Sequence, residues 1–346
     1  MRLLSPKELK HCLPTSSETE RRIASYRNTI KDILTGKDSR LAIVLGPCSI
    51  HSIEGAISYA ENIAYLAKDL RKHCFLVMRA YLEKPRTCTG WKGFLHDPFL
   101  NQQAGIEKGL PLSRQLLLEL SSHAIPLATE FVDPLVSLYF KDLISWGFVG
   151  ARTCSSSIHR ELASCLPMPV GFKNNTDGNI SEAISGIISS VEPHTHLTLN
   201  PDGYISADIS PGNPDTHLVL RGSNHSTNYD TFSIQEAIEK QQSVHIAKKI
   251  LIDCSHGNSG KDYLKQPGVF LDVLDQILLG NNHIAGMMIE SSIEPGRQSK
   301  LDPSSEVSPW ISVTDSCMGW HSTSKLLHSA SSLLSAREST CSTNFS

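Results

Sequence analysis

The stretch SRLAIVLGPCSI (39–50) decides the architecture. Ahead of it, positions 1–38 are polar and helix-compatible, with one helix expected over 18–34 and ending near Gly36. At Leu41 the texture changes to a short apolar run rich in β-branched residues, the pattern of a strand buried on both faces. Seven more such runs follow, at 75–79, 126–131, 148–152, 169–173, 217–221, 249–253 and 284–290. Helical patterns lie between them at 113–122, 135–146, 180–190, 231–241 and 268–279. Buried strands alternating with helices predict an α/β fold with a parallel sheet. Eight such units fit the roughly 250 residues of a (β/α)8 barrel of the TIM type. An open doubly wound sheet fits less well, because the first strand is not followed by the Gly-rich turn with which such sheets hold dinucleotides. One connection departs from the pattern. Positions 197–209 alternate with period two and turn at Pro201-Asp202-Gly203, which predicts an extra β-hairpin before the sixth strand. The expected division is an N-terminal helical extension over 1–38, a barrel over 39–334 and a disordered, Ser/Thr-rich tail over 335–346.

Composition narrows the class. The 346 residues are 40% apolar and 19% charged, enough for a large core and too ordered for a disordered chain. A net charge of -3 creates no general attraction to nucleic acid or to an anionic membrane. No apolar run reaches the roughly 20 residues of a membrane span, and the first residues lack a secretory core. Nine scattered cysteines with no CxxC pair fit a reducing, cytoplasmic setting.

The function is written at the strand ends. In a barrel all eight strand C-termini meet at one mouth. Here they carry Cys48, Arg79, Glu130, Arg152, Lys173, Arg221, Asp253 with His256, and Glu290. Crowded charges of one sign are unfavourable unless a ligand neutralises them. Arg79, Arg152, Lys173 and Arg221, with Lys84 and Arg86 on the second loop, exceed what Glu130 and Asp253 can balance. Arg forks and a mobile Lys ammonium suit phosphate or carboxylate, so one or two small, highly anionic substrates are expected. A second group, Cys48, His256, Glu290 and Asp315, joins a thiolate, an imidazole and two carboxylates. That mixture suits Mn²⁺, Fe²⁺, Co²⁺ or Zn²⁺ better than Ca²⁺ or Mg²⁺. From the residues alone, a self-satisfied ring of ion pairs, buried structural roles for Cys48 and His256, and a Cys48–His256 nucleophile pair all remain open.

In order along the chain, LGPCSIHS (45–52), MRAYLEKPRTCTGWKG (78–93), ATEF (128–131), WGFVGART (146–153), HRELAS (159–164), PVGFKNNTDG (169–178), LRG (220–222), IDCSHGNSGK (252–261), MIES (288–291) and SVTDSCMGW (312–320) resemble the metal-dependent, bacterial and fungal (class I) 3-deoxy-D-arabino-heptulosonate 7-phosphate (DAHP) synthases. The resemblance implies condensation of phosphoenolpyruvate with erythrose 4-phosphate, the first step of the shikimate pathway toward aromatic amino acids. It assigns Arg79, Lys84, Arg152, Lys173 and Arg221 to phosphoenolpyruvate, and Lys84, Pro85, Arg86 and Thr87 to erythrose 4-phosphate. Cys48, His256, Glu290 and Asp315 would hold one divalent metal ion per subunit. Lys84, Glu130 and His256 would serve the chemistry, Lys84 at the developing alkoxide and Glu130 at the attacking water. The partners implied are phosphorylated small molecules and further copies of the chain, as a dimer or tetramer. A related synthase acting on another sugar phosphate, a paralogue in secondary metabolism and a non-catalytic phosphometabolite-binding barrel are the alternatives.

Two departures stand out. Ser155 follows Cys154 where the family usually has an acid, and the stretch before the sixth strand diverges. The family's effector pocket lies beside segments reading here FVDPLVSLYF (131–140) and LASCLPMP (162–169). Pro134, Leu138 and Pro167 replace residues common there, so altered or absent feedback by aromatic amino acids is expected.

Overall fold

The computed structural model describes residues 2–86, 89–101, 105–298 and 307–343. In chain order the principal strands are β1 (Leu41–Gly46), β2 (Cys74–Arg79), β3 (Leu127–Glu130), β4 (Trp146–Val149), β5 (Val170–Lys173), β6 (Thr195–Leu199), β7 (Ile205–Ile209), β8 (Thr216–Leu220), β9 (Ile250–Asp253) and β10 (Ile284–Ser292). Neighbours pair in parallel from β1 to β5, then β8, β9 and β10, and β10 returns to β1, so eight strands close a barrel. The expected (β/α)8 architecture is the one observed. The remaining two strands form the extra antiparallel hairpin, with Leu197 opposite Ala207.

The helices are α1 (Pro6–Cys12), α2 (Ser17–Thr35), α3 (Ile53–Leu70), α4 (Ile106–Ser122), α5 (Ser137–Phe140), α6 (Ser157–Cys165), α7 (Ser181–Val191), α8 (Thr231–Ser243), α9 (Gln266–Leu278) and α10 (Trp320–Thr343). Ser16 caps α2 by accepting from the Thr19 amide, and Gly36 ends it with a left-handed φ of 78°. The buried face of α2 plugs the N-terminal opening of the barrel. Ile30, Ile33 and Leu34 pack there with Ala42, Val44, Val77, Ala128, Val219 and Leu251 from the strand interiors. The extension therefore completes the barrel floor.

Several boundaries differ from the sequence expectation, among them the start of α4 at Ile106 instead of 113. The helix expected over 135–146 shrinks to a short 3-10 turn at Pro134–Val136 and the four-residue α5. Trp146 explains this. Its indole is buried in the barrel, 5.5 Å from the Phe148 ring, and donates to Nε2 of His217 at 2.9 Å. Trp146 therefore opens a strand, where the helical period had it closing a helix. β4 consequently ends at Val149, and Arg152 stands in the turn beyond it. At the other end of the chain, α10 continues through 335–343, where the sequence reads as a tail. Leu326, Leu327 and Ala330 bury against the barrel, and Arg337 donates to the carbonyl of Ile277.

Candidate active site

Three of the four expected metal ligands converge. Cys48 lies just beyond β1, Glu290 on β10 and Asp315 in the segment after it, and their ligand atoms all lie within 4.8 Å of one another. His256 joins from the loop after β9, with Nε2 3.6 Å from Oε1 of Glu290. Its Nδ1 is 2.9 Å from Oδ2 of Asp253, an orientation that turns Nε2 toward the cluster. A soft thiol, an imidazole and two carboxylates around one small space fit a borderline divalent metal.

Lys84 reaches the same space from the loop after β2. Its ammonium is 2.7 Å from Sγ of Cys48 and 3.3 Å from the Cys48 carbonyl oxygen. Burial works against its charge, but Cys48, Glu290 and Asp315 outweigh that and keep it protonated. Burial, with Glu290 adding to it, pushes the Cys48 thiol up to about 11 against the pull of Lys84. A cation among these ligands would supply the positive charge that the thiolate needs.

Around this centre stand the cations. Lys173, ending β5, contacts Oδ2 of Asp253 at 2.7 Å. Although burial opposes the Asp253 charge, His256 and Lys173 hold its carboxyl well below the usual range. Arg221 follows β8 and its pKa is lowered by burial, with Arg152 nearby adding repulsion against the pull of Asp253. Among the described residues, neither arginine has a carboxylate within ion-pair distance. Arg86 on the second loop is exposed and donates to the Trp91 carbonyl, with no carboxylate in ion-pair distance among the described residues. Pro85 lies between it and Lys84; Thr87 falls outside the described residues. Glu130 ends β3 with its carboxylate against Gly150, where a Cβ would come within 2.1 Å of Oε1. Glycine at that position leaves the room Glu130 occupies.

Arg79 occupies a different place from its neighbours. It is 0% exposed, bonds Oε1 of Glu290 at 3.1 Å and Sδ of Met288 at 2.8 Å, and lies 4.0 Å over the Tyr81 ring. It sits against the Cys48–Glu290–Asp315 cluster, where it can steady Glu290.

Residues 15–328 match the DAHP synthetase I family. The chain belongs to that family. It is 44% identical over 325 residues to the phospho-2-dehydro-3-deoxyheptonate aldolase, Tyr-sensitive, of Escherichia coli K12, covering 94% of this chain and 91% of that one. The phenylalanine-inhibited aldolase of Saccharomyces cerevisiae is 42% identical over 331 residues, with 94% and 89% covered. A solved phospho-2-dehydro-3-deoxyheptonate aldolase from Francisella tularensis SCHU S4 superposes with a TM-score of 0.94 at 38% identity, over 97% of this chain and 98% of that one. This DAHP synthetase I family member is an enzyme, and among its described residues no helix is long and apolar enough to cross a membrane.

Several side chains that shape this family member's site have no assigned role in the sequence reading. Asp253 is visible there as a strand-end acid, yet its task of joining Lys173 to His256 needs coordinates. Glu83 is buried beside Lys84 and accepts from the amides of Val132 and Asp133 at 3.3 and 3.4 Å, tying the second loop to the segment after β3. Asn174 accepts from the Arg221 amide at 2.8 Å and fixes that turn. These contacts go largely to backbone groups, which any sequence provides.

Away from the mouth, segments 131–140 and 162–169 flank a cavity of about 810 Å³ whose other walls are α1 and the hairpin. Pro134 and Leu138 line it. Pro167 does not, and is exposed outside it.

Proposed function

We propose that this enzyme joins phosphoenolpyruvate to erythrose 4-phosphate, giving DAHP and inorganic phosphate. The observation that carries the reading is two groups of cations without carboxylate partners among the described residues, Arg152 with Arg221 and, separately, Arg86. Arg221 feels the charges of Glu290 and Asp315 in the thiol–carboxylate cluster, and Lys84, two residues before Arg86, touches its Cys48 thiol. Arg152, Lys173 and Arg221 hold phosphoenolpyruvate, and Lys84, Pro85, Arg86 and Thr87 receive erythrose 4-phosphate. Arg79 acts indirectly, through Glu290.

Cys48, His256, Glu290 and Asp315 would hold one Mn²⁺, Fe²⁺, Co²⁺ or Zn²⁺ ion per subunit, which when bound supplies a Lewis acid for the aldehyde oxygen. The cation ring holds two anions together against their repulsion, so carbon three of phosphoenolpyruvate can form its bond to the aldehyde carbon. The Lys84 ammonium stands where the aldehyde oxygen becomes an alkoxide and donates its proton there. Water, oriented and deprotonated by Glu130, adds at carbon two; the bond from that carbon to the phosphate oxygen breaks, and phosphate leaves. The test is phosphate release from phosphoenolpyruvate with Mn²⁺. Release that requires erythrose 4-phosphate supports the reading, whereas equal release with arabinose 5-phosphate or none with either sugar overturns it.

The enzyme works in the cytoplasm as a homo-oligomer, a dimer or tetramer. Cys12, Cys48, Cys74, Cys154, Cys165, Cys254 and Cys317 are free thiols, consistent with a reducing setting. The hairpin favours self-association because its outward face is apolar: Leu197 and Ile205 are each 80% exposed. A second copy is the cover proposed for it, and sedimentation that shows only monomer would refute this.

A further inference from the structure

Resting on the metal reading above, we propose that Gln266 is a positioning residue that fixes the metal-ligating Glu290 through its backbone. Gln266 opens α9 and is 1% exposed. Its Oε1 accepts from the Glu290 amide at 2.8 Å, and its Nε2 donates to the Glu290 carbonyl at 3.2 Å. A single side chain thus engages both main-chain polar groups of a single residue.

The need for this clamp comes from the ladder. β9 and β10 pair only as far as Asp253 opposite Met288, and the Cys254 amide donates to the Met288 carbonyl. In a parallel ladder alternate residues point their main-chain groups to the same side, so Glu290 faces the direction Met288 faces. Past Asp253 the chain has left β9 to form the His256 loop, in which His256 has a φ of 54°. Glu290 would then keep a buried amide and carbonyl without partners, a costly state. The Gln266 carboxamide supplies the missing donor and acceptor, taking the place of one more residue of β9.

The position of Gln266 adds a second consequence. It closes the segment that begins at His256, so one residue ties together the two chain segments that bring His256 and Glu290 to the cluster. Loss of the clamp should therefore loosen the ligand geometry while leaving the cation ring intact.

Gln266→Met tests this, since it keeps the volume and removes both bonds, with Gln266→Glu as the variant that keeps the acceptor. Mn²⁺ binding is measured by equilibrium dialysis on the full chain, alongside phosphoenolpyruvate binding to metal-free protein and its thermal midpoint. The expected result is a Kd for Mn²⁺ raised about tenfold or more in Gln266→Met and by less in Gln266→Glu. Phosphoenolpyruvate binding should be unchanged, and kcat should recover at saturating Mn²⁺. An Mn²⁺ Kd within about twofold of wild type, even with a lowered thermal midpoint, would overturn the proposal and leave the metal reading standing. Wild-type protein that binds no Mn²⁺ would instead overturn the metal reading and this inference with it.

Discussion

At the N-terminal end of the barrel, Ile30, Ile33 and Leu34 close the opening over a layer of small and apolar strand residues. At the C-terminal end, the same strands finish in Arg79, Lys173, Asp253 and Glu290, all buried and joined by short ionic contacts. The floor gains stability by removing apolar surface from water, roughly 1.5–3 kcal/mol for each large side chain fully buried. The mouth gains little net stability from its ion pairs, because desolvation consumes much of the Coulomb attraction. Its charges are retained for what they hold. One barrel thus separates a stabilising end from a reactive end, and perturbations should respect that division.

The largest effect is expected at the mouth. Chelation should abolish turnover, and Mn²⁺ or Co²⁺ should restore it, while Cys48→Ala should weaken metal binding by removing the soft ligand. Full activity in a metal-free sample would erase the chemical distinction between the two ends. At the floor, Leu34→Ala should lower unfolding free energy by about 2–5 kcal/mol in a denaturant titration and leave kcat/KM unchanged well below the transition. A loss of kcat/KM as large as that of a mouth variant would show that the plug also governs the chemistry.

His217 offers a pH test of the same end. Burial holds it neutral, with its pKa pushed down to about 3, and the indole N–H of Trp146 occupies its Nε2. The unfolded chain takes up this proton near pH 6.5 and the folded chain does not. Its share of stability is therefore full above roughly 6.5 and declines as pH falls toward 3. Unfolding free energies across that range should fall less steeply for His217→Leu than for wild type.

A finer division lies within the mouth. Arg152→Ala should raise the KM for phosphoenolpyruvate and Arg86→Ala that for erythrose 4-phosphate, each about tenfold or more from a lost charge-assisted contact. Initial-rate kinetics with each substrate varied will show it. If both variants shift both KM values equally, the two cation groups are one.

The two ends also differ in how much of them can be read from sequence. Buried parallel strands appear as apolar runs, so all eight are visible, and their terminal charges place Cys48, Lys173, Arg221 and Glu290 at one rim. Trp146 shows where such reading fails: a large apolar residue fits a helical period as well as a strand until its partners Phe148 and His217 are known. Glu83, Asn174 and Gln266 are illegible for another reason. Each binds main-chain amides or carbonyls, whose positions come from the fold. Arg79 is intermediate, since its place on β2 is readable while its burial against Glu290 depends on the closure of the barrel between β10 and β1.

The smallest effect is expected in the cavity of about 810 Å³ beside the hairpin, remote from both ends of this comparison. The resemblance to DAHP synthases makes it the place where an aromatic amino acid would act. Pro134 opens the 3-10 turn at its wall and has no N–H to offer a carboxylate, and Leu138 presents an apolar side chain where an amide is common. Each missing hydrogen bond is worth about 1 kcal/mol, so two account for a loss of affinity of order tenfold or more. Pro167, exposed outside the cavity, contributes nothing to this argument. An inhibition series with phenylalanine, tyrosine and tryptophan should therefore show weak feedback. Leu138→Gln should increase sensitivity to the most effective of the three by about fivefold, the value of one restored hydrogen bond. Strong inhibition of the wild type by phenylalanine at low concentration would refute the expectation, because it would mean the cavity binds its effector without the groups that Pro134 and Leu138 have removed.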